Sequence, residues 1–208
     1  MASDVSITFT GTEYAEAIVG GIAGYMINTG AISNCYSTGN ITVQANSTSG
    51  TVSAGGIVGQ SYKNSANTDP NIQFCWASGN VKVSTAKSQE VGGIAGYLSA
   101  STGSYRTAIS KCVALNTTVS GSEGSVYRGR VVGRLSDAEV LNCFANREID
   151  TSATSNQNSK DGRDVTLPTV LSWWGETAGW TMTTDSEGSE DAPWKWNNTL
   201  SRPMLWFE

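Results

Sequence analysis

Side chains able to carry out chemistry are few in this chain of 208 residues, which contains no histidine. Without imidazole, neither a Ser-His-Asp nor a Cys-His nucleophile can form, and most zinc sites are excluded. The segment Ser84–Lys87, "STAK", fits the short serine-lysine pattern of penicillin-recognising enzymes. Because none of the partner motifs follows, we interpret this segment as a chance match at the end of a strand.

Four cysteines are the next candidates, but none belongs to a CxxC pair, and whole repeats of the chain separate them. We expect buried, free thiols stacked as an interior ladder rather than a metal or redox site, because cysteine packs well as a small apolar core residue. Neighbours in such a ladder would have nearly parallel Cβ vectors, which oppose the torsion of a disulfide. The cysteines are Cys35, Cys75, Cys112 and Cys143.

Carboxylates could support a polysaccharide-degrading enzyme, since β-helical lyases and glycosidases act through acidic residues and calcium. Twelve of the 18 acidic residues follow from Asp137 onward, however, and few recur in one strand column. The run "DSEGSED" at Asp185–Asp191 could bind calcium, although such a run is more often a solvated loop. We therefore predict no catalytic residues, no metal and no cofactor.

The charge balance excludes two classes of partner. The net charge is −5, and the 13 Lys and Arg residues are scattered, so no basic patch for nucleic acid is apparent. Apolar runs are far shorter than the roughly 20 residues that cross a bilayer, so we predict no transmembrane span. The start, "MASDVSITFT", lacks the basic and apolar regions of a signal peptide.

The chain contains an internal sequence repeat, and the fold that this repeat specifies must hold any functional residues in place. The motif "VGGIAGY" occurs at Val19–Tyr25 and again at Val91–Tyr97, with "AGGIVGQ" at Ala54–Gln60 and a degenerate "RGRVVGR" at Arg128–Arg134, in steps of 35, 37 and 37 residues. Each copy is followed by a segment with a cysteine, such as "ISNCYSTGNITV" from Ile32. Self-similarity of this period indicates a solenoid, in which each unit packs against its neighbours.

The repeat predicts an all-β fold with almost no helix: a right-handed parallel β-helix, or β-solenoid, of about four rungs, where a rung is one turn of the coil. Each period contains three strand-like pieces, the glycine-rich piece, the cysteine piece and the "NITV" piece, which suggests a triangular cross-section. Equivalent strands should pair in parallel about 4.8 Å apart. The variable segments Ser61–Pro70 and Ser99–Thr107 should be loops at the corners.

Alternation of side chains assigns the faces of the strands. In the glycine-rich strand, Ile22, Ile57, Ile94 and Val131 should point inward. Positions 35, 37, 39, 41 and 43 form a second inward set, unless the turn at Gly39 changes the parity, so both orientations stay open for the neighbouring column of Tyr36, Trp76, Val113 and Phe144. Arg130, which replaces a repeat glycine, should point harmlessly outward. Structural roles fall to the cysteines and to Gly20, Gly21, Gly24, Gly55, Gly56, Gly59, Gly92, Gly93 and Gly96.

Outward side chains are the candidates for ligand binding. The glycine-rich strand should present one exposed column across the rungs, and the cysteine piece a second column if its aromatic residues point outward. The candidates are Tyr25, Gln60, Tyr97 and Arg134 in the first column, and Tyr36, Trp76 and Phe144 in the second.

These motifs resemble the GLUG motif family, whose repeats read like "GGLVG" followed by "NCYATGNV". The resemblance covers roughly Val19 to Asp150, through "GGIAG" with "NCYSTGN", "GGIVG" with "FCWASGN" and "GGIAG" with "KCVALN". It implies an exported, adhesin-like β-helical protein of the bacterial cell surface, a family often found in gut bacteria and beside immunoglobulin A peptidases. An export signal would then have been removed before this chain.

The C-terminal segment also resembles the end of such chains, since its tryptophan-rich stretch finishes in "RPMLWFE" at Arg202–Glu208. Six of the seven tryptophans lie between Trp173 and Trp206. We predict a solenoid over 1–165 and a capping segment over 166–208 that covers the last rung, because large aromatic residues cover an exposed core with few side chains. A separate aromatic sugar-binding site is the alternative.

The resulting hypothesis is a non-enzymatic, extracellular binding or spacer module, expected to be a monomer, that presents loops and an outward face to a host or microbial glycan or surface protein. Two alternatives remain: a β-helical polysaccharide-degrading enzyme, and a purely structural spacer beside a surface peptidase. An enzyme should gather two or three acidic residues, or acidic residues with Arg or Lys, in one groove open to solvent.

Overall fold

The computed structural model describes residues 3–14, 16–46, 49–64, 71–85, 88–101, 107–122, 126–150, 152–167, 169–183 and 189–208. The expected loops at Ser61–Pro70 and Ser99–Thr107, the segment Ser84–Lys87 and the acidic run Asp185–Asp191 lie partly outside these residues.

Short strands recur with the period of the sequence repeat, after a first strand β1 at Val5–Phe9. The first rung contains β2 Ala17–Gly20, β3 Ala23–Ile27, β4 Ile32–Ser33, β5 Tyr36–Ser37 and β6 Ile41–Ala45. The second contains β7 Thr51–Gly55, β8 Val58–Lys63, β9 Ile72–Gln73, β10 Trp76–Ala77 and β11 Val81–Thr85. The third contains β12 Ser88–Gly92, β13 Ala95–Ala100, β14 Thr107–Ser110, β15 Val113–Ala114 and β16 Val119–Gly121. The fourth contains β17 Val126–Gly129, β18 Val132–Ser136, β19 Ala138–Leu141 and β20 Phe144–Asn146.

Equivalent strands of successive rungs pair in parallel and form five sheets along the coil. The register follows the sequence repeat residue for residue: Tyr25 pairs with Gln60, Gln60 with Tyr97, and Tyr97 with Arg134. β1 pairs with β6, and β21, at Arg163–Val165, pairs with β20. The predicted all-β parallel solenoid is therefore confirmed.

Each rung contains more strands than we predicted, because two of the three pieces bend in the middle. The residue before each cysteine has a positive φ, at Asn34, Phe74, Lys111 and Asn142, with values from 50° to 52°. This left-handed conformation divides the cysteine piece into two strands. The paired glycines divide the other piece: a Cβ at Gly56 would collide with the carbonyl oxygen of Gly93 and lie 2.6 Å from Cβ of Ala77.

The "GN" part of the motif forms a polar ladder at the next corner. Asn40 donates its backbone N–H to Oδ1 of Asp4 at 2.8 Å, and Asn80 donates its own to Oδ1 of Asn40 at 2.9 Å. In the third rung, the hydroxyl of Thr117 donates to Oδ1 of Asn80 at 2.8 Å. The side chains of Asp4 and Asn40 thereby each satisfy a backbone group of the neighbouring rung, whereas that of Asn80 accepts from a side chain.

The core lies inside the coil, where the predicted inward residues meet. Ile57, Ile94 and Val131 are fully buried, as are Cys75, Cys112 and Cys143. Each thiol donates to the carbonyl oxygen two residues before it, at 3.2 to 3.5 Å, and all four cysteines are free. Ile22, between β2 and β3, is 46% exposed, because among the described residues no strand pairs with the outer edges of β2 and β3.

The tryptophan-rich segment packs along the side of the solenoid rather than over the last rung. It contains a π-helix at Trp173–Thr177 and the strands β22 Met182–Thr183, β23 Trp194–Asn197 and β24 Arg202–Leu205, with β22 parallel and β24 antiparallel to β23. Trp180 donates its Nε1–H to the carbonyl of Lys111, and Trp194 to Oδ1 of Asn34. The ring centroid of Trp173 lies 5.0 Å from that of Phe144, so the segment reaches from the fourth rung back to the first.

The last rung is closed by residues 152–165 instead, which follow a 3₁₀ turn at Arg147–Ile149. The carbonyl of Lys160 accepts the N–H groups of both Val131 and Val132. Our expectation for Arg130 was wrong: its side chain is 1% exposed and pairs with Asp164 at 2.7 Å. It also donates to the carbonyls of Asp161 and Gly162 at 3.0 Å each. In the first three rungs, the equivalent glycine contacts the backbone of the following rung. In the fourth rung, Arg130 binds the closing segment at this place instead.

A candidate ligand-binding face

The first predicted column lies on the sheet of β3, β8, β13 and β18, and we call it the tyrosine-arginine column: Tyr25, Gln60, Tyr97 and Arg134. Tyr25 is 49% exposed and the other three side chains are half-buried. They alternate with buried residues such as Leu98, so the outward direction follows from the pleat of the strand. The four side chains therefore form one outward column.

A second column, on the sheet of β2, β7, β12 and β17, contains Ser53, Glu90 and Tyr127 in register. The repeat glycines bring the two sheets together: a Cβ at Gly96 would lie 2.9 Å from the carbonyl oxygen of Glu90. Strands β12 and β13 can approach this closely only because that side chain is missing. The polar residues of the second column consequently lie beside the tyrosine-arginine column.

Glu90 links the two columns. Its carboxylate is 3% exposed, accepts a hydrogen bond from the Ser53 hydroxyl at 2.5 Å, and forms an ion pair with Nη1 of Arg134 at 3.0 Å. The hydrogen bond from Arg134 to Glu90 is the main cause of the raised pKa of Arg134. A buried carboxylate of this kind requires such partners, because an isolated charge would be strongly unfavourable in the interior.

Arg134 is also held by two aromatic rings. Its guanidinium carbon lies 5.1 Å from the ring centroid of Tyr97 and 4.6 Å from that of Tyr127, within the range of cation–π contacts. The side chain remains 40% exposed. The arrangement offers solvent two rings and a guanidinium group held in a fixed orientation, which suits stacking and hydrogen bonding to a ligand with hydroxyl groups.

The second predicted set of candidates has a different environment. Trp76 and Phe144 point away from the solenoid core, yet both are buried beneath the C-terminal segment, and Tyr36 is only partly exposed. The column thus points outward, an orientation that the sequence left open, but the tryptophans of the C-terminal segment cover Trp76 and Phe144, so neither is an exposed candidate for ligand binding. The structure does not bring these three residues together with the tyrosine-arginine column.

Sequence reasoning missed Glu90, Ser53 and Tyr127. The alignment of the repeats contained a usable signal, since Glu90 immediately precedes the repeated motif "VGGIAGY" and aligns with Ser53 and Tyr127. What the alignment does not show is the tight contact between adjacent strands of one rung, which places Glu90 under Arg134.

Within the described ranges, no group of three or more acidic or cysteine side chains could hold a metal ion. Nor does any helix among those residues have the length and apolar character that a membrane crossing requires.

The fold and this face define a repeat protein of the β-solenoid class. The chain carries the GLUG motif, whose family model matches residues 16–42, from just before β2 into β6. Comparison with curated proteins gave no match, and comparison with solved structures gave none either.

Proposed function

We propose that the chain is a non-enzymatic binding module of a bacterial cell surface, which uses the tyrosine-arginine column and Tyr127 to bind a glycan. The observation that supports this most strongly is Arg134, which lies against two tyrosine rings and is anchored by the buried Glu90. Extracellular location is part of the proposal, and the GLUG motif supports it.

A neutral glycan suits this face better than an acidic one. Glu90 already neutralises Arg134, and the protein as a whole carries a net charge of −5. Sugar rings stack on tyrosine faces, while the remaining guanidinium N–H groups can donate to hydroxyl oxygens.

The same geometry supports a binding role over the alternative of a polysaccharide-degrading enzyme. A hydrolytic carboxylate has to reach the glycosidic bond, and the paired carboxyl groups of glycosidases lie about 5 to 10 Å apart on either side of it. Glu90 instead lies beneath Arg134 with its oxygens engaged by Ser53 and Arg134.

A glycan array probed with the whole protein tests the proposal. We expect Tyr97→Ala and Arg134→Ala to abolish most binding to the glycans that the unchanged protein retains, with melting temperatures nearly unaffected for Tyr97→Ala. The control is Phe207→Ala, which removes an exposed aromatic ring of the C-terminal segment. An array without hits, or hits that Tyr97→Ala leaves unchanged, contradicts the proposal, and release of reducing sugar from a bound glycan would favour the enzyme.

A further inference from the structure

The tyrosine-arginine column presents one side chain per rung along the axis of the coil. Strands β3, β8, β13 and β18 pair in parallel and in register, so the members of the column are successive partners: Tyr25, Gln60, Tyr97 and Arg134. Paired strands lie about 4.8 Å apart, which is therefore the distance from one member to the next. The groups of a ligand that contacts the whole column must recur at the same distance.

This spacing disfavours an extended polypeptide as the ligand. A β-strand advances about 3.3 Å per residue, and its side chains return to the same face only at every second residue, after about 6.6 Å. A peptide that lies along the column would therefore fall out of step with it within two rungs. A peptide that lies across the column, parallel to the strands, would contact only one or two of its members.

A polysaccharide with equatorial linkages has the required repeat. In a β-1,4-linked chain of glucose, both bonds that link a ring to its neighbours are equatorial, so the chain is straight and each sugar adds a length close to the distance between rungs. Chains with α-1,4 or β-1,3 linkages bend at each sugar and coil, so only one or two neighbouring sugars would contact this face. A straight chain can place one sugar on every rung.

The residue types of the column alternate in a way that also fits such a chain. Tyr25 and Tyr97 are aromatic and lie two rungs apart. Gln60 and Arg134, which alternate with them, carry hydrogen-bonding groups. Successive sugars of a straight β-1,4-linked chain face in opposite directions, so the same face recurs at every second sugar. The column and the chain therefore both repeat every two units.

The fourth rung can fix the position of a sugar along the column. Arg134 pairs with Glu90 at 3.0 Å and is in cation–π contact with the rings of Tyr97 and Tyr127, while 40% of its side chain stays exposed. The guanidinium group is thus held in place relative to the Tyr97 ring. A sugar that contacts both groups has a defined position, from which the rest of a straight chain continues over Gln60.

We propose that the preferred ligands of the tyrosine-arginine column are straight, neutral, β-1,4-linked polysaccharides, bound along the axis of the coil with one sugar per rung. The inference rests on the proposed function, since it specifies which glycans this face binds. Each sugar that reaches a further rung adds contacts. Affinity therefore increases with chain length up to about four sugars, one for each member of the column.

Titration calorimetry of the whole protein with hexasaccharides tests the linkage. The straight probes are the β-1,4-linked hexasaccharides of glucose, N-acetylglucosamine, mannose and xylose. The bent probes are the α-1,4- and β-1,3-linked hexasaccharides of glucose, which differ from the straight glucose probe only in their linkage. At least one straight probe should bind about tenfold or more tightly than both bent probes. Equal or tighter binding of a bent probe overturns the inference.

Chain length and Gln60 provide a second test. The straight hexasaccharide that binds best should bind about tenfold more tightly than its own disaccharide, and Gln60→Ala should reduce this ratio about fivefold, because a hydrogen bond in the middle of the column is lost. Gln44→Ala is the matched control, since Gln44 is exposed on β6, in another sheet, and the ratio should not change. The same ratio in Gln60→Ala and in the unchanged protein contradicts one sugar per rung.

The outcomes separate this inference from the proposed function. Hits on the glycan array that are confined to bent chains, together with no binding of any straight probe, would overturn the inference and leave glycan binding through Tyr97 and Arg134 intact. No binding of any glycan would contradict the proposed function itself, and the inference with it.

Discussion

The ring of Tyr36 stacks on the indole of Trp76 with centroids 4.6 Å apart and planes 6° from parallel. The two residues are direct register partners on adjacent rungs, so the stack is a consequence of the repeat. Trp194 of the C-terminal segment packs against Tyr36 with centroids 6.3 Å apart, and Trp174 and Trp180 lie farther along the same cluster. The outward aromatic residues of the repeat therefore form the surface on which the C-terminal segment folds.

Truncation after Thr166 should expose this aromatic column. Trp76, Val113 and Phe144 would lose the cover of the tryptophan cluster, and we expect the shortened protein to bind a hydrophobic dye strongly and to associate. The last rung should keep its hydrogen-exchange protection, because residues 152–165 remain. A soluble, monomeric truncation that unfolds cooperatively and binds no dye would count against a stabilising role for the segment.

The repeat glycines can be compared with a glycine outside them. Gly56→Ala should destabilise the protein by about 2 kcal/mol or more, because the new Cβ meets the Gly93 backbone and the Ala77 side chain, neither of which can move freely. Gly11→Ala is the matched control, since nothing lies within 4 Å of its Cβ position. Urea unfolding measures both, and equal stabilities would contradict the tight packing.

The sequence predicted most of the solenoid because the repeat specifies it locally. Equivalent residues recur at a fixed spacing, so the register of Tyr25, Gln60 and Tyr97 and the burial of Ile57 and Ile94 could be derived without a structure. The bends between the strands of a rung were harder to predict from the sequence. Phe74 and Lys111 adopt a positive φ that their residue types rarely show, and only their alignment with Asn34 and Asn142 hints at it.

Features outside the repeat could not be derived in this way. The path of the C-terminal segment depends on long-range contacts, such as the one between Trp180 and the Lys111 carbonyl, and nothing in a tryptophan-rich sequence specifies which surface it covers. The ion pair between Glu90 and Arg134 joins residues 44 positions apart and depends on how closely two sheets approach. The candidate site was therefore predicted as a column, but without the residues that hold Arg134.

The thiols should differ in reactivity. Cys75, Cys112 and Cys143 are buried, whereas Cys35 is only partly buried and borders a recess of the first rung. The hydrogen bond with Cys75 raises the pKa of Cys35, and burial raises that of Cys112, so access to solvent and not the pKa distinguishes Cys35. A thiol reagent should therefore modify one cysteine slowly in the folded protein and four after denaturation without reductant. Fewer than four in the denatured protein would indicate a disulfide.

Alkaline pH should weaken the contact between the C-terminal segment and the first rung. Burial and hydrogen bonds to Glu208 raise the pKa of Tyr36 to about 12. Because the folded pKa lies above the ordinary value near 10, the contribution of this group to stability is complete below pH ~10 and is lost as the pH rises toward ~12. Tyr36→Phe should reduce the loss of stability over that interval, measured by urea unfolding. An unchanged pH profile would exclude Tyr36 as its source.

Restoring the repeat residue at position 130 should destabilise the protein. Arg130→Gly recreates the glycine of the first three rungs, but it leaves Asp164 and the carbonyls of Asp161 and Gly162 without their donor, and we expect a loss of about 3 kcal/mol. Arg128→Gly is the control: its ion pair with Asp150 is equally short, 2.7 Å, yet the arginine is 43% exposed, so its loss should cost less than about 1 kcal/mol. Urea unfolding of the two variants separates burial from ion-pair distance. If Arg130→Gly lowered the free energy of unfolding as little as Arg128→Gly is expected to, the closing segment would not depend on Arg130.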